Sequence, residues 1–209
     1  MASISLPYFL SLPDIPGPWP GIVVIHEGGG ISPQLLRVCE RFAGEGYAAV
    51  APDLFFRSGG SEAADFATLI GALVPEEALA DVTSAAGTLR AVGAARIGVT
   101  GFCMGGRFAW TTALHGRGFH AAVGFYGGGI AEDLGQPQCP TLLFFGGQDP
   151  YIAPAEIERV AAHHPATLVY PEATHGFMRD GSDSYDERSA HDAWSRTLAF
   201  FGDHLREGI

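Results

Sequence analysis

Short apolar runs alternate along the chain with longer stretches whose apolar residues recur at helical spacing. The short runs are rich in β-branched residues, as is typical of strands covered on both faces. They predict strands at residues 3–10, 21–26, 47–51, 96–100, 121–126, 141–145 and 167–171. The longer stretches predict helices at residues 32–46, 61–73, 75–92, 107–115, 154–163 and 186–206. Because strands alternate with helices and most strands end in a Gly-rich loop, we expect an α/β fold with a mostly parallel central sheet and helices on both faces.

The chain length favours one domain. Its 209 residues, 47% hydrophobic and 17% charged, suffice for one well-buried core and are somewhat few for two. We find no internal repeat, low-complexity tract or linker. The sequence therefore predicts a single domain over residues 1–209.

The charge and cysteine content limit the possible partners. Twelve basic residues against 23 acidic ones give a formal net charge of −11, and no basic stretch could follow a phosphate backbone, so we expect no nucleic-acid partner. The first twenty residues lack a basic segment, and no uncharged apolar run reaches the roughly 18 residues of a membrane span. Three cysteines without CxxC spacing suggest neither disulfides nor a zinc site. We expect a cytoplasmic protein, either a monomer or a homodimer, with no membrane partner.

Two segments resemble cofactor-binding motifs but are incomplete. His26 and Glu27 begin the zinc motif HExxH, but Gly30 occupies the position of its second histidine. The glycine run at residues 28–30 does not spell the dinucleotide-binding pattern GxGxxG. We therefore expect no metal and no other cofactor.

A Gly-rich turn joins the predicted strand at 96–100 to the helix at 107–115. It reads GFCMGG over residues 101–106, the pattern of a nucleophile elbow between a strand and a helix. Gly101 and Gly105 lack the Cβ atoms that would clash in so tight a turn. Cys103, at its centre, is the candidate nucleophile, although a cysteine in such a turn also suits simple packing.

A thiol nucleophile needs a base and a group that orients the base. Among the eight histidines, only His175 follows a late predicted strand by a short loop. Asp149 likewise follows the strand at 141–145 and is the candidate orienting carboxylate, with Asp53 at an earlier strand end as the alternative. The chain order of nucleophile, acid and histidine is that of α/β-hydrolases.

The same turn and the loop after strand 21–26 supply candidate oxyanion donors. The elbow offers the backbone N–H of Met104, and the earlier loop offers that of Gly28. Glu27 precedes Gly28 at a buried strand end, where a carboxylate is costly unless it is paired or functional. A structural ion pair with an arginine is the alternative to a role in catalysis.

Several segments together carry a resemblance that covers nearly the whole chain. They are HEG at 26–28, GYAAVAPDL at 46–54, GFCMGG at 101–106, GFYG at 124–127, GGQD at 146–149, and HGF at 175–177 with Arg179. In these segments the sequence resembles the dienelactone hydrolase family of the α/β-hydrolase superfamily. A cysteine at the elbow is distinctive, because most α/β-hydrolases use serine there. The resemblance implies a single-domain α/β-hydrolase fold.

The resemblance also implies a reaction. It suggests a triad of Cys103, His175 and Asp149 that cleaves a small enol-lactone or other activated ester through a thioester. It further implies that Glu27 lies beside the thiol and gates its ionisation, since a nearby anion disfavours the thiolate. Arg179 would hold a carboxylate of the substrate through charge-assisted hydrogen bonds.

The chain departs from the family pattern after the PDL segment, where a second carboxylate-binding arginine is expected. Arg57 is the only basic residue between Asp53 and Arg90 and is the candidate substitute. Tyr126, in the GFYG segment, is a further candidate for substrate binding. Two other functions stay open: a redox-sensing or glyoxalase-type cysteine protein, and a non-catalytic relative that binds a ligand.

Overall fold

The computed structural model describes residues 6–206, which form a seven-stranded sheet with helices. The strands are β1 (Tyr8–Ser11), β2 (Gly21–Ile25), β3 (Ala48–Pro52), β4 (Ile97–Phe102), β5 (Ala121–Phe125), β6 (Thr141–Gly146) and β7 (Thr167–Tyr170). Their order is β1-β3-β2-β4-β5-β6-β7, and every neighbouring pair is parallel except β1 with β3. The predicted mostly parallel sheet is confirmed. The first strand begins at residue 8 rather than 3, and residues 3–5 lie outside the described part.

Within residues 6–206, five α-helices lie between strands, and a sixth follows β7: α1 (Pro33–Gly44), α2 (Phe66–Gly71), α3 (Pro75–Ala91), α4 (Met104–His115), α5 (Pro154–His163) and α6 (Glu187–Leu205). Two of them, α2 and α4, begin three or more residues from the predicted position. The α2 helix begins at Phe66 instead of residue 61, because the side chain of Asp65 caps it by accepting the Thr68 N–H at 3.0 Å. The α4 helix begins directly after Cys103 rather than at residue 107. No helix within residues 6–206 has the length and apolar character that crossing a bilayer requires.

Alternate residues of the buried strands supply two separate cores. On β2, Ile22 and Val24 belong to one core, whereas Val23 and Ile25 belong to the other. The first core also contains side chains of α1, α5 and α6, and the second contains side chains of α3. The expected placement of helices on both faces is thus confirmed. Because β2, β3, β4, β5 and β6 are parallel, the loops at their carboxyl ends meet along one edge of the sheet.

The β4–α4 turn depends on glycines that other backbone segments approach closely. A Cβ at Gly105 would lie 2.4 Å from the Ile25 carbonyl oxygen, and one at Gly101 would lie 2.1 Å from the Gly105 carbonyl oxygen. Backbone atoms at this distance cannot move aside cheaply. The turn therefore packs against β2 only because these positions carry no side chain.

We expect Gly105→Ala to lower the free energy of unfolding by about 3 kcal/mol or more, because the added methyl group displaces the β2 backbone. Urea unfolding followed by circular dichroism measures the change. Gly87→Ala is the matched control: Gly87 lies on α3 with no atom within 4 Å of the added Cβ. That control should gain about 0.5–1 kcal/mol from helix propensity. Similar small changes in both variants would contradict the packing account.

Candidate active site

Cys103 occupies a strained turn between β4 and α4. Its φ and ψ angles are 54° and −119°, a backbone conformation that L side chains rarely adopt. The turn is held in place because the Cys103 N–H donates to the Phe125 carbonyl at 3.0 Å, and its carbonyl accepts from the Gly106 N–H at 2.9 Å. Such strain costs about 1–3 kcal/mol and is typical of functional sites. The partly exposed thiol therefore stands at the carboxyl edge of the sheet, at a tightly determined position.

A buried carboxylate orients His175. Asp149 Oδ2 lies 2.7 Å from His175 Nδ1, and Asp149 Oδ1 accepts the backbone N–H groups of Tyr151 and Ile152 at 2.8 and 3.1 Å. The Asp149 side chain is 0% exposed and that of His175 is 10% exposed. Asp53, the alternative carboxylate, accepts instead from the Phe55 N–H at 2.9 Å. The structure thus brings Asp149, and not Asp53, to His175.

The surroundings of His175 favour its protonated form. Burial lowers the pKa of His175, but the hydrogen bond to Asp149 and the interactions with Cys103 and Asp149 outweigh burial and raise the pKa to about 9. Cys103 and Asp149 therefore act on the same imidazole. An imidazolium beside the sulfur is the partner that a thiolate nucleophile requires.

We expect His175 to keep its proton up to about pH 9 in the native protein, whereas an unperturbed histidine loses it near pH 6.5. Because the folded-state pKa lies above the unfolded-state value, this protonation stabilises the fold fully below about pH 6.5, and the stabilisation is lost as the pH rises through 9. NMR titration of the histidine ring protons measures the pKa directly. Asp149→Asn should lower it, and Asp53→Asn, which removes the same charge elsewhere, should not. A native His175 that titrates near its unperturbed pKa would contradict the account.

Glu27 is held by an arginine and a tyrosine. Its Oε2 accepts from Arg179 Nε at 3.0 Å and also from Arg179 Nη2, and its Oε1 accepts from the Tyr126 hydroxyl at 3.2 Å. Burial raises the pKa of Tyr126 well above its ordinary value, so this hydroxyl stays a donor. Within residues 6–206, Glu27 makes no hydrogen bond to Cys103. Three residues predicted for the site, Glu27, Arg179 and Tyr126, are thus connected by hydrogen bonds. The gating of the thiol by Glu27 stays a prediction.

His26 fixes the loop that carries Glu27, a role that sequence reasoning missed. Its ring is fully buried: Nε2 accepts the Leu54 N–H at 3.0 Å, which leaves Nδ1 to donate to the Glu27 carbonyl at 2.7 Å. Burial lowers the pKa of His26, which keeps the ring neutral in this tautomer. One side chain thereby joins the loops after β2 and β3. The only signal in the sequence is a histidine that directly follows a buried β-branched strand.

The two predicted oxyanion donors are the backbone N–H groups of Met104 and Gly28, which follow the carboxyl ends of β4 and β2. Met104 is the first residue of α4, so its N–H has no acceptor inside the helix. The Gly28 N–H, on the loop after β2, donates no hydrogen bond to any residue between 6 and 206. A Cβ at Gly28 would lie 3.3 Å from Ile70 and 3.4 Å from Phe66, so α2 packs against this loop. The oxyanion roles of both residues stay predictions.

Arg57 is occupied elsewhere. Its guanidinium pairs with Asp81 on α3 through two hydrogen bonds, that from Nη2 to Oδ1 being 2.8 Å long, and Nε lies 3.5 Å from a carboxylate oxygen of Glu77. It also lies 4.4 Å from the centroid of the Phe56 ring. The structure does not bring Arg57 to Glu27 and Arg179. A substrate-binding role for Arg57 stays a prediction, and it would require this ion pair to be broken or shared.

Comparisons with known proteins agree with this architecture. The sequence model of the dienelactone hydrolase family matches residues 6–205. A protein of Yersinia pestis, provisionally named a carboxymethylenebutenolidase, is 34% identical over an alignment of 226 positions that covers 95% of this chain and 84% of that protein. An Escherichia coli K12 protein with the same provisional name is 36% identical over an alignment of 212 positions that covers 88% of this chain and 77% of that protein.

The solved structure of a provisionally named dienelactone hydrolase from Klebsiella pneumoniae superposes with a TM-score of 0.86. It is 34% identical, and the match covers 95% of this chain and 93% of that one. The predicted α/β-hydrolase fold and the predicted family are both confirmed. The chain therefore belongs to the dienelactone hydrolase family, a family of ester-cleaving enzymes.

Proposed function

We propose that the protein hydrolyses a small lactone or ester that carries a carboxylate, by Cys-His-Asp nucleophilic catalysis. The observation that carries the proposal is the arrangement of the strained, partly exposed Cys103 beside an imidazole that the buried Asp149 orients. The names of the relatives, carboxymethylenebutenolidase and dienelactone hydrolase, support an unsaturated lactone as substrate. A redox sensor would have no use for the contact between Asp149 and His175, which favours the hydrolase over that alternative.

Acylation begins with the thiolate and the imidazolium. The Cys103 sulfur attacks the ester carbonyl carbon, and the electron pair of the C=O bond moves to the oxygen. The N–H groups of Met104 and Gly28 stabilise this oxyanion. When the carbonyl re-forms, the C–O bond to the leaving group breaks, and His175 Nε2 gives its proton to the departing oxygen. A thioester on Cys103 and a neutral His175 remain; with a lactone, the released hydroxyl stays on the acyl chain.

Deacylation returns the enzyme to its starting state. His175, now neutral, takes a proton from a water molecule as that water attacks the thioester carbonyl. Collapse of the second tetrahedral intermediate expels the Cys103 thiolate and releases the carboxylic acid. Asp149 keeps the proton of His175 on Nδ1 while Nε2 exchanges protons, and its charge stabilises the imidazolium in both steps.

Glu27 and Arg179 link substrate binding to the state of the thiol. In the free protein the Glu27 carboxylate occupies Arg179, so a substrate carboxylate must share or displace it. Once displaced from Arg179, the Glu27 carboxylate can accept the proton of the Cys103 thiol, which produces the thiolate. As long as Glu27 stays charged, its negative charge instead opposes ionisation of that thiol. Binding of a carboxylate-bearing substrate therefore alters the electrostatics at the nucleophile, whereas a neutral ester leaves the Glu27–Arg179 pair in place.

We expect Arg179→Ala to raise KM for a carboxylate-bearing ester about 10- to 100-fold more than KM for a neutral aryl ester, because a charge-assisted hydrogen bond contributes about 1.5–3 kcal/mol. Loss of ultraviolet absorbance follows dienelactone hydrolysis, and p-nitrophenyl acetate serves as the neutral ester. Arg179→Ala also leaves Glu27 unpaired, and any general effect of this should change KM for both esters by the same factor. The ratio of the two KM changes therefore reports recognition of the substrate carboxylate.

Arg117→Ala is the matched control for this substitution. Arg117 is exposed, and its replacement changes the net charge by the same amount. It should leave the KM ratio unchanged. Equal KM increases for both esters in Arg179→Ala would reject carboxylate recognition by Arg179, and the absence of turnover of either ester by the wild-type protein would reject the proposed substrate class.

A further inference from the structure

The most exposed large apolar or aromatic side chain within residues 6–206 lies beside the active site. Tyr151 is 80% exposed, although it follows the buried Asp149 by only two residues. Its ring centroid lies 5.2 Å from that of His175, with the two planes at 82°. Phenolic rings usually bury much of their surface in a folded protein. A solvent-exposed aromatic ring beside the general base is therefore available to pack against a bound ligand.

The catalytic loop itself positions this ring. The Tyr151 backbone N–H donates to Asp149 Oδ1 at 2.8 Å, and the next side chain, Ile152, is 2% exposed and anchored in the core. His175 thus lies between two tyrosines: the buried Tyr126, with ring centroids 5.0 Å apart, and the exposed Tyr151. Tyr151 is therefore the solvent-exposed one of the two tyrosine rings that contact His175.

The tautomer of His175 identifies which part of the substrate contacts the imidazole. Because Nδ1 is held by Asp149, Nε2 is the atom that protonates the oxygen of the leaving group. The oxygen of the leaving group must therefore come within hydrogen-bond distance of His175 Nε2. The Tyr151 ring contacts the same imidazole, whereas Glu27 and Arg179 form a separate pair that suits the carboxylate of the acyl part.

We infer that Tyr151 is a specificity-determining residue that binds the leaving group, and that the preferred leaving group is a flat aryl or enol unit that packs against its ring. This inference rests on the proposed function and specifies the leaving group, which the proposed function does not define. Aromatic packing discriminates by shape, because a flat unsaturated group covers the ring whereas a branched or fluorinated alkyl group does not. The hydroxyl of Tyr151 has no part in this contact.

The test compares two acetate esters, phenyl acetate and 2,2,2-trifluoroethyl acetate, which yield the same acetyl-enzyme from leaving groups of different shape. We expect Tyr151→Ala to lower kcat/KM for the phenyl ester about 3- to 10-fold relative to the trifluoroethyl ester, which corresponds to about 0.6–1.4 kcal/mol. Tyr151→Phe, which keeps the ring, should retain the wild-type ratio. The backbone bond to Asp149 persists in both variants. Tyr8→Ala, which removes an exposed tyrosine on β1 at the far edge of the sheet, should also retain the ratio.

Single-turnover deacylation separates leaving-group binding from a structural effect. The leaving group has departed from the acetyl-enzyme, so Tyr151→Ala should hydrolyse this intermediate at the wild-type rate. Equal losses for both esters, or slower deacylation, would mean that Tyr151 acts by positioning His175, and would overturn the inference. If the wild-type protein hydrolysed neither acetate ester in a Cys103-dependent manner, this inference would be overturned, whereas the proposed function is tested separately with the carboxylate-bearing lactone.

Discussion

Replacing Cys103 by alanine is expected to lower kcat/KM for every ester substrate by about 10⁴-fold or more, because no other group in the site can form the covalent intermediate. The substitution removes only the sulfur from a side chain that is partly exposed. The strained backbone of the turn and its hydrogen bonds to the Phe125 carbonyl and the Gly106 N–H involve no side-chain atom. The variant should therefore fold as the wild type does, which circular dichroism and urea unfolding can verify.

A matched cysteine variant tests whether the loss is specific. Cys139 is half-buried, and its thiol pKa is raised to about 11 by burial, so it is a poor nucleophile. Cys139→Ala should keep full activity. Turnover by a folded Cys103→Ala protein within tenfold of the wild-type rate would exclude the thiol mechanism, whatever the substrate.

Asp149→Asn is expected to lower kcat by about 10³- to 10⁴-fold, the range found when the carboxylate of a catalytic triad becomes an amide. Two physical effects combine. The amide can donate to His175 Nδ1, which moves the imidazole proton to Nε2 and removes the base, and it lacks the charge that stabilises the imidazolium. Oδ1 remains as an acceptor for the Tyr151 and Ile152 N–H groups, so the loop should keep its conformation.

Asp53→Asn is the control for this substitution. Asp53 caps the turn after β3 by accepting the Phe55 N–H, an interaction that the amide oxygen can also make. We expect a loss of less than about threefold, as for a substitution away from the reacting groups. If Asp53→Asn were the more damaging change, Asp53 would be the orienting carboxylate, and the assignment of Asp149 would be wrong.

The sequence carried most of the information needed for the fold. Buried parallel strands need nearly continuous β-branched runs, such as residues 21–25, and the register of β2 with β4 agrees with that reading. The start of α2 could not be located in this way, because the apolar pattern before residue 66 is ambiguous and the side chain of Asp65 decides where the helix begins. Local hydrogen-bonding competition of this kind leaves little trace in hydrophobic periodicity.

The positions of Cys103, Asp149 and His175 at the carboxyl edge of the sheet were also predictable, because residues after the ends of β4, β6 and β7 sit at fixed places in the fold. A nucleophile at an elbow, with an acid and a histidine after later strands, follows from the rule that strand ends share one edge of a parallel sheet. The sequence therefore indicated both the positions and the contact between Asp149 and His175.

The hydrogen-bond and ion-pair partners of the charged side chains were harder to predict from the sequence. Whether Glu27 faces a thiol or an arginine depends on rotamers and on loops that are distant in sequence, and the same is true of Arg57, whose carboxylate partners lie one helix away. His26 acts through a backbone N–H 28 residues later in the chain, a contact without any pattern in the sequence. The positive φ of Tyr126, 39°, is equally hidden, since tyrosine seldom adopts it.

The most direct test of the central claim is to capture the acyl-enzyme. The protein is mixed with p-nitrophenyl acetate, quenched rapidly with acid during turnover, digested and analysed by mass spectrometry. We predict an acetyl group on the peptide that contains Cys103, released by hydroxylamine as expected of a thioester and absent from the Cys103→Ala variant. Continued turnover with no acyl group on Cys103, or an acyl group on another side chain that forms and decays at the turnover rate, would contradict the account.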